Sequence, residues 1–148
     1  MIALLQRVTE ASVEVNGVQI AAITKGLMVL LAVEKDDDDN IARRLVDKLL
    51  KYRVFSDEEE KMNLSLLDIQ GELLLVPQFT LAANTEKGLR PSFSSAALPS
   101  SAERLFERCV LLANETGCAV RAGQFGADMK VSLVNDGPVT FWLQVAAK

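Results

Sequence analysis

Ser12-Val13-Glu14-Val15-Asn16-Gly17-Val18-Gln19-Ile20 decides the fold class. Polar and apolar residues alternate up to Asn16 and again after Gly17. Asn-Gly supplies two residues that accept positive φ, as a two-residue hairpin turn requires. The stretch therefore reads as an antiparallel β-hairpin. Upstream, Ile2 to Glu10 reads as a strand that feeds it. Downstream, Val18 to Thr24 is the return strand, and Lys25-Gly26 turns again. Leu27 to Val33 is apolar without alternation, the pattern of a strand buried on both faces.

Helical spacing begins only after the acidic run Asp36 to Asp39. Ile41, Leu45, Leu49 and Tyr52 share one face of a helix expected from about Ile41 to Arg53, capped by Asn40. The acidic run fails as a calcium loop, because its sixth position is Ile41 rather than glycine, and reads as a solvated loop at the positive helix end. Val54-Phe55 and Met62 to Leu67 read as extended pieces around a charged turn. Glu72 to Phe79 is a strong strand, and Pro77 within it demands an edge, a bulge or a strand end. Thr80 to about Leu98 shows no period and reads as a long loop, the kind of segment that carries function. A second helix is expected from Pro99 or Ser100 to Glu115, with Ser100 or Ser101 as cap and Gly117 as its stop. Ala119 to Ala122, Met129 to Val134 and Val139 to Val145 complete the strands, the last two joined by a turn at Asn135-Asp136-Gly137-Pro138.

About eight extended pieces and two helices exclude a doubly wound parallel sheet. The expected class is α/β: one domain over residues 1–148, a mixed, largely antiparallel sheet, curled or partly closed into a barrel, covered by two main helices. With 148 residues, 49% of them hydrophobic and 24% charged, disorder is excluded.

Absences narrow the chemistry further. The chain has no histidine, which removes Ser-His-Asp and Cys-His catalysis and histidine-held zinc. Its two cysteines, Cys109 and Cys118, are too few for a cysteine-only zinc site or a disulfide framework and suit a reducing compartment. No phosphate-binding glycine loop, metal site or cofactor motif is expected. Met1 to Leu5 meets Gln6-Arg7 almost at once, so no signal peptide is expected. No apolar run reaches the roughly 20 residues that cross a bilayer, and the expected location is the cytoplasm. The net charge of −4 argues against a protein that coats duplex nucleic acid.

Most other features have plain explanations. Cys109 lies on the apolar face of its helix and reads as a buried thiol. Asp57 to Glu60 read as solvated turn residues, and Gly123-Gln124-Phe125-Gly126 fits no phosphate motif. Two segments stand out instead. Pro77-Gln78-Phe79-Thr80-Leu81 runs from the best strand into the long loop, where backbone N–H groups become free for a ligand. Asn135-Asp136-Gly137-Pro138-Val139-Thr140 places Gly-Pro between two strands.

With Gln6-Arg7-Val8, Arg90-Pro91-Ser92-Phe93, Phe125-Gly126-Ala127-Asp128-Met129 and the full run Val131 to Thr140, these segments carry a resemblance. Over residues 1 to 145 the chain is similar to the bacterial D-aminoacyl-tRNA deacylases, a family first named for D-tyrosyl-tRNA. One residue departs from the pattern: the serine usual before Gln78 is Pro77 here. The resemblance implies a small barrel-like α/β domain and a homodimer with two active sites at the subunit interface. It implies that Gln78, Phe79, Thr80 and Leu81 hold the terminal adenosine and its aminoacyl ester. Gly137-Pro138, joined by a cis peptide, would reach in from the other subunit, steadied by Arg7. Phe125, Ala127 and Met129 would line the adenosine end, with Asn135 in support.

The expected reaction is hydrolysis of D-aminoacyl-tRNA, with L-aminoacyl esters rejected and glycyl-tRNA mischarged on tRNA for alanine accepted, since glycine has no side chain to reject. The partner is the acceptor end of the tRNA alone, which reconciles the acidic charge; Lys87, Arg90, Arg43, Arg44 and Lys48 are the candidate RNA contacts. The alternative is a catalytically silent interaction or RNA-binding domain of the same fold, encouraged only by Pro77.

Overall fold

The computed structural model describes residues 1–147. The hairpin forms as expected: β1 (Ile2–Val15) turns at Asn16 and Gly17, both at positive φ, into β2 (Val18–Ile23). β3 (Gly26–Ala32) pairs antiparallel with the first half of β1, so β1 carries β2 and β3 on one edge. Leu27, Val29 and Leu31 enter the core beneath the helices, while Met28 enters a second core on the other face of the sheet. Both faces of β3 are therefore covered, which explains its unbroken apolar run.

α1 (Asp39–Lys51) buries Ile41, Leu45 and Leu49 against the sheet. It starts and ends two residues earlier than expected, and its cap is Asp38, whose carboxylate accepts from Ile41 N at 2.9 Å, not Asn40. The acidic run is also not a uniformly solvated loop. Asp37 turns inward, and its carboxylate, with that of Glu34, accepts from the Met1 ammonium at 2.8 and 2.7 Å. The same ammonium donates to Val145 O at 2.8 Å, so β1, the loop after β3 and the C-terminal tail meet at one buried charge. Burial pushes the Asp37 carboxyl above its ordinary value. For Glu34 burial pushes the same way, but hydrogen bonds from the ammonium and Gln144 outweigh it and leave the group below its usual range.

β4 (Phe55–Ser56) and β5 (Met62–Leu64) form a small separate ladder. Leu66 and Leu67 are not extended, as expected from the sequence, but open α2 (Leu66–Ile69). Ser65 and Asp68 close a reciprocal capping box there, which outweighs the strand propensity of so short a piece. β6 (Glu72–Pro77) runs parallel to β3, and β7 (Ala119–Ala122) runs parallel to β6. α3 (Pro99–Glu115) packs on α1 and buries Leu105, Phe106, Cys109 and Leu112. Proline occupies its first turn as expected, but neither Ser100 nor Ser101 caps it; the cap position is Leu98, which makes no side-chain bond.

β8 (Lys130–Gln144) corrects another expectation. Its two halves are not strands of a hairpin. Both run antiparallel to β1 in one direction, and the register jumps from Gln6↔Thr140 to Val8↔Asn135. Residues 136–139 bulge out opposite Arg7, so the turn-forming residues there lift the chain from the sheet without reversing it. The sheet order is β2-β1-β3-β6-β7 with β8 on the other edge of β1, and β2 returns against β6 and β7 to curl the sheet nearly closed. Among the described residues, no helix is long and apolar enough to cross a membrane.

Candidate active site

β6 outlasts its neighbour. Pairing with β7 stops at Leu75↔Ala122, while β6 continues to Pro77 beside Leu31 of β3. Gln78 N donates to Leu31 O at 2.8 Å, so the N of Pro77 faces the side that β7 has left. A strand end open on one side has no ladder partner for a proline to disrupt, which is why it sits there.

A cavity of about 480 Å³ fills the space beyond β7. Val76, Pro77, Gln78 and Phe79 form one wall. Phe125, Gly126, Ala127, Met129 and Val131 form the facing wall, and Ala97, Pro99 and Ala102 close it from the start of α3. No ionisable side chain is among them. The volume and apolar lining suit a small organic group with its polar contacts supplied by backbone and amide.

Beyond Gln78 the chain tightens into a 3-10 turn, Phe79–Ala82. The first N–H groups of such a turn have no helical acceptor. Among the described residues, Phe79 N and Thr80 N donate to no protein acceptor. The Thr80 hydroxyl is exposed and accepts from the Gln78 side-chain amide. Leu81 points the other way, into a small cluster with Ile2, Ala32 and Ala82. Of the residues singled out from sequence, Gln78, Phe79, Phe125, Ala127 and Met129 thus share the cavity, Thr80 stands on its rim, and Leu81 supports the turn from beneath.

The other predicted group lies elsewhere. The Gly137–Pro138 peptide is cis, and neither residue lines the cavity of its own chain. Arg7 Nε donates to Asp136 O at 3.1 Å, and its guanidinium donates to Val54 O at 2.8 Å. Asn135 braces the bulge from within: its Oδ1 accepts from Val139 N at 3.1 Å and its Nδ2 donates to Thr140 Oγ1 at 2.8 Å. At Gly137, φ is +126° and an added Cβ would lie 2.8 Å from Val139 Cγ2 and 3.0 Å from the Arg7 guanidinium.

Sequence reasoning missed Gly123. Its N–H caps the β6 ladder by donating to Leu75 O at 2.8 Å, and a Cβ there would meet Met129 Sδ at 2.9 Å. The only signal was a glycine directly after a short strand. Cys109 is a buried thiol, as its helical face indicated, and burial pushes it up to about 12. Asp57 to Glu60 do stand at an exposed turn, where Asp57 accepts from Asn63 Nδ2 at 2.9 Å.

The sequence profile described as D-Tyr-tRNA(Tyr) deacylase matches residues 4–144. The chain belongs to this deacylase family. A relative from Alkalilimnicola ehrlichii, named D-aminoacyl-tRNA deacylase, is 58% identical over 144 residues, covering 97% of this chain and 96% of its own. One of the same name from Pseudomonas aeruginosa is 60% identical over 144 residues, covering 97% and 99%. Among solved structures, the c-Myc DNA Unwinding Element Binding Protein superposes with a TM-score of 0.94 at 40% identity, covering 99% of this chain and all of its own (100%). A probable eukaryotic D-amino acid tRNA deacylase superposes with a TM-score of 0.84 at 20% identity over 97% and 98% of the two chains, a likeness of fold. In this member of the deacylase family the cavity is lined by two of the motif segments, Pro77 to Phe79 and Phe125 to Met129, together with Val76, Val131 and the start of α3.

Proposed function

We propose that this protein hydrolyses the ester of D-aminoacyl-tRNA, releasing the free amino acid and the tRNA. The observation that carries the reading, beside family membership, is a cavity without ionisable side chains beside a 3-10 turn whose Phe79 and Thr80 N–H groups meet no protein acceptor among the described residues. Adenosine fits between Phe79 and the Phe125 to Met129 wall. The ester carbonyl then lies over the N–H groups of Phe79 and Thr80, which hold the oxyanion as water adds. Water forms the new C–O bond, the bond to the ribose oxygen breaks, and that oxygen takes the proton. With no histidine in the chain, the neighbouring ribose hydroxyl of the substrate positions the water.

Chiral selection falls to Gly137 and Pro138 of a second copy. L and D esters carry identical groups and differ only in where the side chain projects. A rigid backbone wall on the L side therefore separates them better than added contacts on the D side. The Arg7 and Asn135 contacts give the bulge that rigidity. Because the bulge does not line its own chain's cavity, the reading calls for a homodimer with shared sites. The half-exposed Trp142 and Val134 on β8, an edge strand of the sheet, are a surface for the second copy. Glycyl-tRNA passes the wall and is also hydrolysed. The working place is the cytoplasm, where the substrate is made.

The test compares D-tyrosyl, L-tyrosyl and glycyl esters on one tRNA body, with light scattering alongside. Turnover of the D and glycyl esters by a dimer is expected, and a terminal 2′-deoxyadenosine should slow it strongly. Rapid L-tyrosyl hydrolysis, or a fully active monomer, overturns the shared wall.

A further inference from the structure

The long segment after the 3-10 turn is not loose. Asn84 and Ser92 exchange two backbone hydrogen bonds at 2.7 and 2.9 Å, closing a seven-residue tip, 85–91. The base of this loop is fastened to the 3-10 turn and to the segment that follows β3. Ser95 Oγ donates to Ala82 O, Lys35 N donates to Ser95 O at 3.0 Å, and Ala97 N donates to Val33 O at 3.0 Å. Immediately after the closing pair, Phe93 sets its ring 5.2 Å from that of Phe79, at 53°. Phe79 lines the cavity, so the aromatic pair forms its outer lip, and both rings are exposed, at 57% and 42%. Every residue of the tip is exposed. It carries Lys87 and Arg90 against one anion, Glu86, and neither cation enters an ion pair among the described residues.

We propose that the 84–92 loop is an arm that binds the phosphodiester strand leading into the cavity. It would hold the single-stranded nucleotides that precede the terminal adenosine, with Lys87 and Arg90 on phosphates and the Phe79–Phe93 pair under a base. The inference rests on the reading of the cavity as an adenosine site and deepens it. Three features select this occupant. The cations stand on a tip that leads, through Phe93 and its contact with Phe79, to a cavity that itself offers no charge. The chain is acidic overall, at −4, so a local basic tip on a fastened base is a departure from its average. The exposed aromatic lip continues the cavity wall outward, and base-on-ring stacking accepts any base, as an end shared by all substrates requires.

The probe is a short uncharged RNA hairpin with a four-nucleotide single-stranded 3′ tail, fluorescently labelled, titrated with the intact protein at several salt concentrations. Lys87→Gln/Arg90→Gln should weaken binding about tenfold at low salt. It should also flatten the slope of log affinity against log salt by about 1.4, since each single-strand phosphate contact contributes about 0.7. Lys25→Gln/Arg53→Gln, with the same change in charge at exposed positions outside the arm, should alter neither quantity. Phe93→Leu should weaken binding without changing the salt slope, and Phe93→Tyr should restore it. Equal affinity and slope for Lys87→Gln/Arg90→Gln and the unmodified protein overturns the arm, as does an equal loss from Lys25→Gln/Arg53→Gln. A change in light-scattering mass of Lys87→Gln/Arg90→Gln also overturns it, by assigning the tip to contact between copies. Hydrolysis of D-tyrosyl esters by the unmodified protein is scored separately. Its absence with the binding results intact overturns the deacylase reading and leaves the arm standing.

Discussion

The β3–β6 pair begins and ends differently, and the contrast locates the site. At its start Gly26 faces Glu72 so closely that a Cβ on Gly26 would lie 1.8 Å from Glu72 O. Glu72 N donates to Lys25 O at 3.1 Å, and the Glu72 carboxylate accepts from both the N–H and the hydroxyl of Thr24. That end is sealed. At the other end the register is unchanged, but β7 has stopped two residues earlier, and β6 turns away into the 3-10 turn. One sealed and one open end on the same parallel pair place the apolar cavity and the unbonded N–H groups of Phe79 and Thr80 at the open end. The sealed end holds the pair in register, and the open end is free to bind.

The contrast breaks most severely at Gly26. Gly26→Ala sets a Cβ against a backbone carbonyl, which no rotamer change relieves. A loss of about 3 kcal/mol is expected from such overpacking. For a chain of this size that is a fall in Tm of roughly 6–12 °C. Thermal unfolding measures it, and an unchanged Tm would show that the sealed end does not hold the pair. Thr80→Ala acts at the open end and should do the reverse. Its hydroxyl is exposed and bonds only Gln78, so Tm should hold while kcat for D-tyrosyl-tRNA falls on the order of tenfold through lost positioning. Complete loss of turnover in folded protein, or a trapped acyl-threonine, would make the hydroxyl the nucleophile and displace the backbone mechanism.

Pro77→Ser sharpens the comparison further. It restores the residue usual in the resembling family at a strand end whose ladder needs nothing from position 77. Activity should stay within about threefold, or roughly 0.7 kcal/mol. A larger gain would assign the serine hydroxyl a part in the chemistry.

How much was legible follows the same division. The sealed half could be read from local signals: Asn16-Gly17 fixed the hairpin, and the unbroken run Leu27 to Val33 announced a strand covered twice. Gln78, Phe79, Phe125, Ala127 and Met129 were legible through resemblance, but not their meeting in one cavity. That depends on β7 being shorter than β6, a tertiary fact with no local pattern. The bulge at 136–139 was misread because Asn-Asp-Gly-Pro carries turn chemistry whether the chain reverses or merely lifts. Only pairing with β1, and Arg7 behind it, distinguishes the two. Asp37 was misread for a similar reason, since its partner, the Met1 ammonium, lies 36 residues away in sequence.

The smallest effect tests the seal in acid. The Glu72 carboxyl is held below its ordinary value, first by the Thr24 hydroxyl, then by the Thr24 N–H and the nearby Arg121. A carboxyl with a depressed folded-state value binds fewer protons folded than unfolded. Its stabilisation is therefore present above the unfolded glutamate value, near about 4.3, and is lost as pH falls through the lower folded value. Thr24→Val removes the hydroxyl and keeps the N–H, so part of the depression goes. At pH 7 the unmodified protein should have the slightly higher Tm, and the gap should close as pH falls below about 4. Thr24→Ser, which keeps the hydroxyl, should follow the unmodified curve throughout. Deacylation at pH 7 should not change in either variant, because Glu72 stands at the end of β6 that does not face the cavity. A gap that persists unchanged to low pH would mean that Thr24 contributes packing alone, and a loss of deacylation would mean that the two ends of the strand pair are coupled.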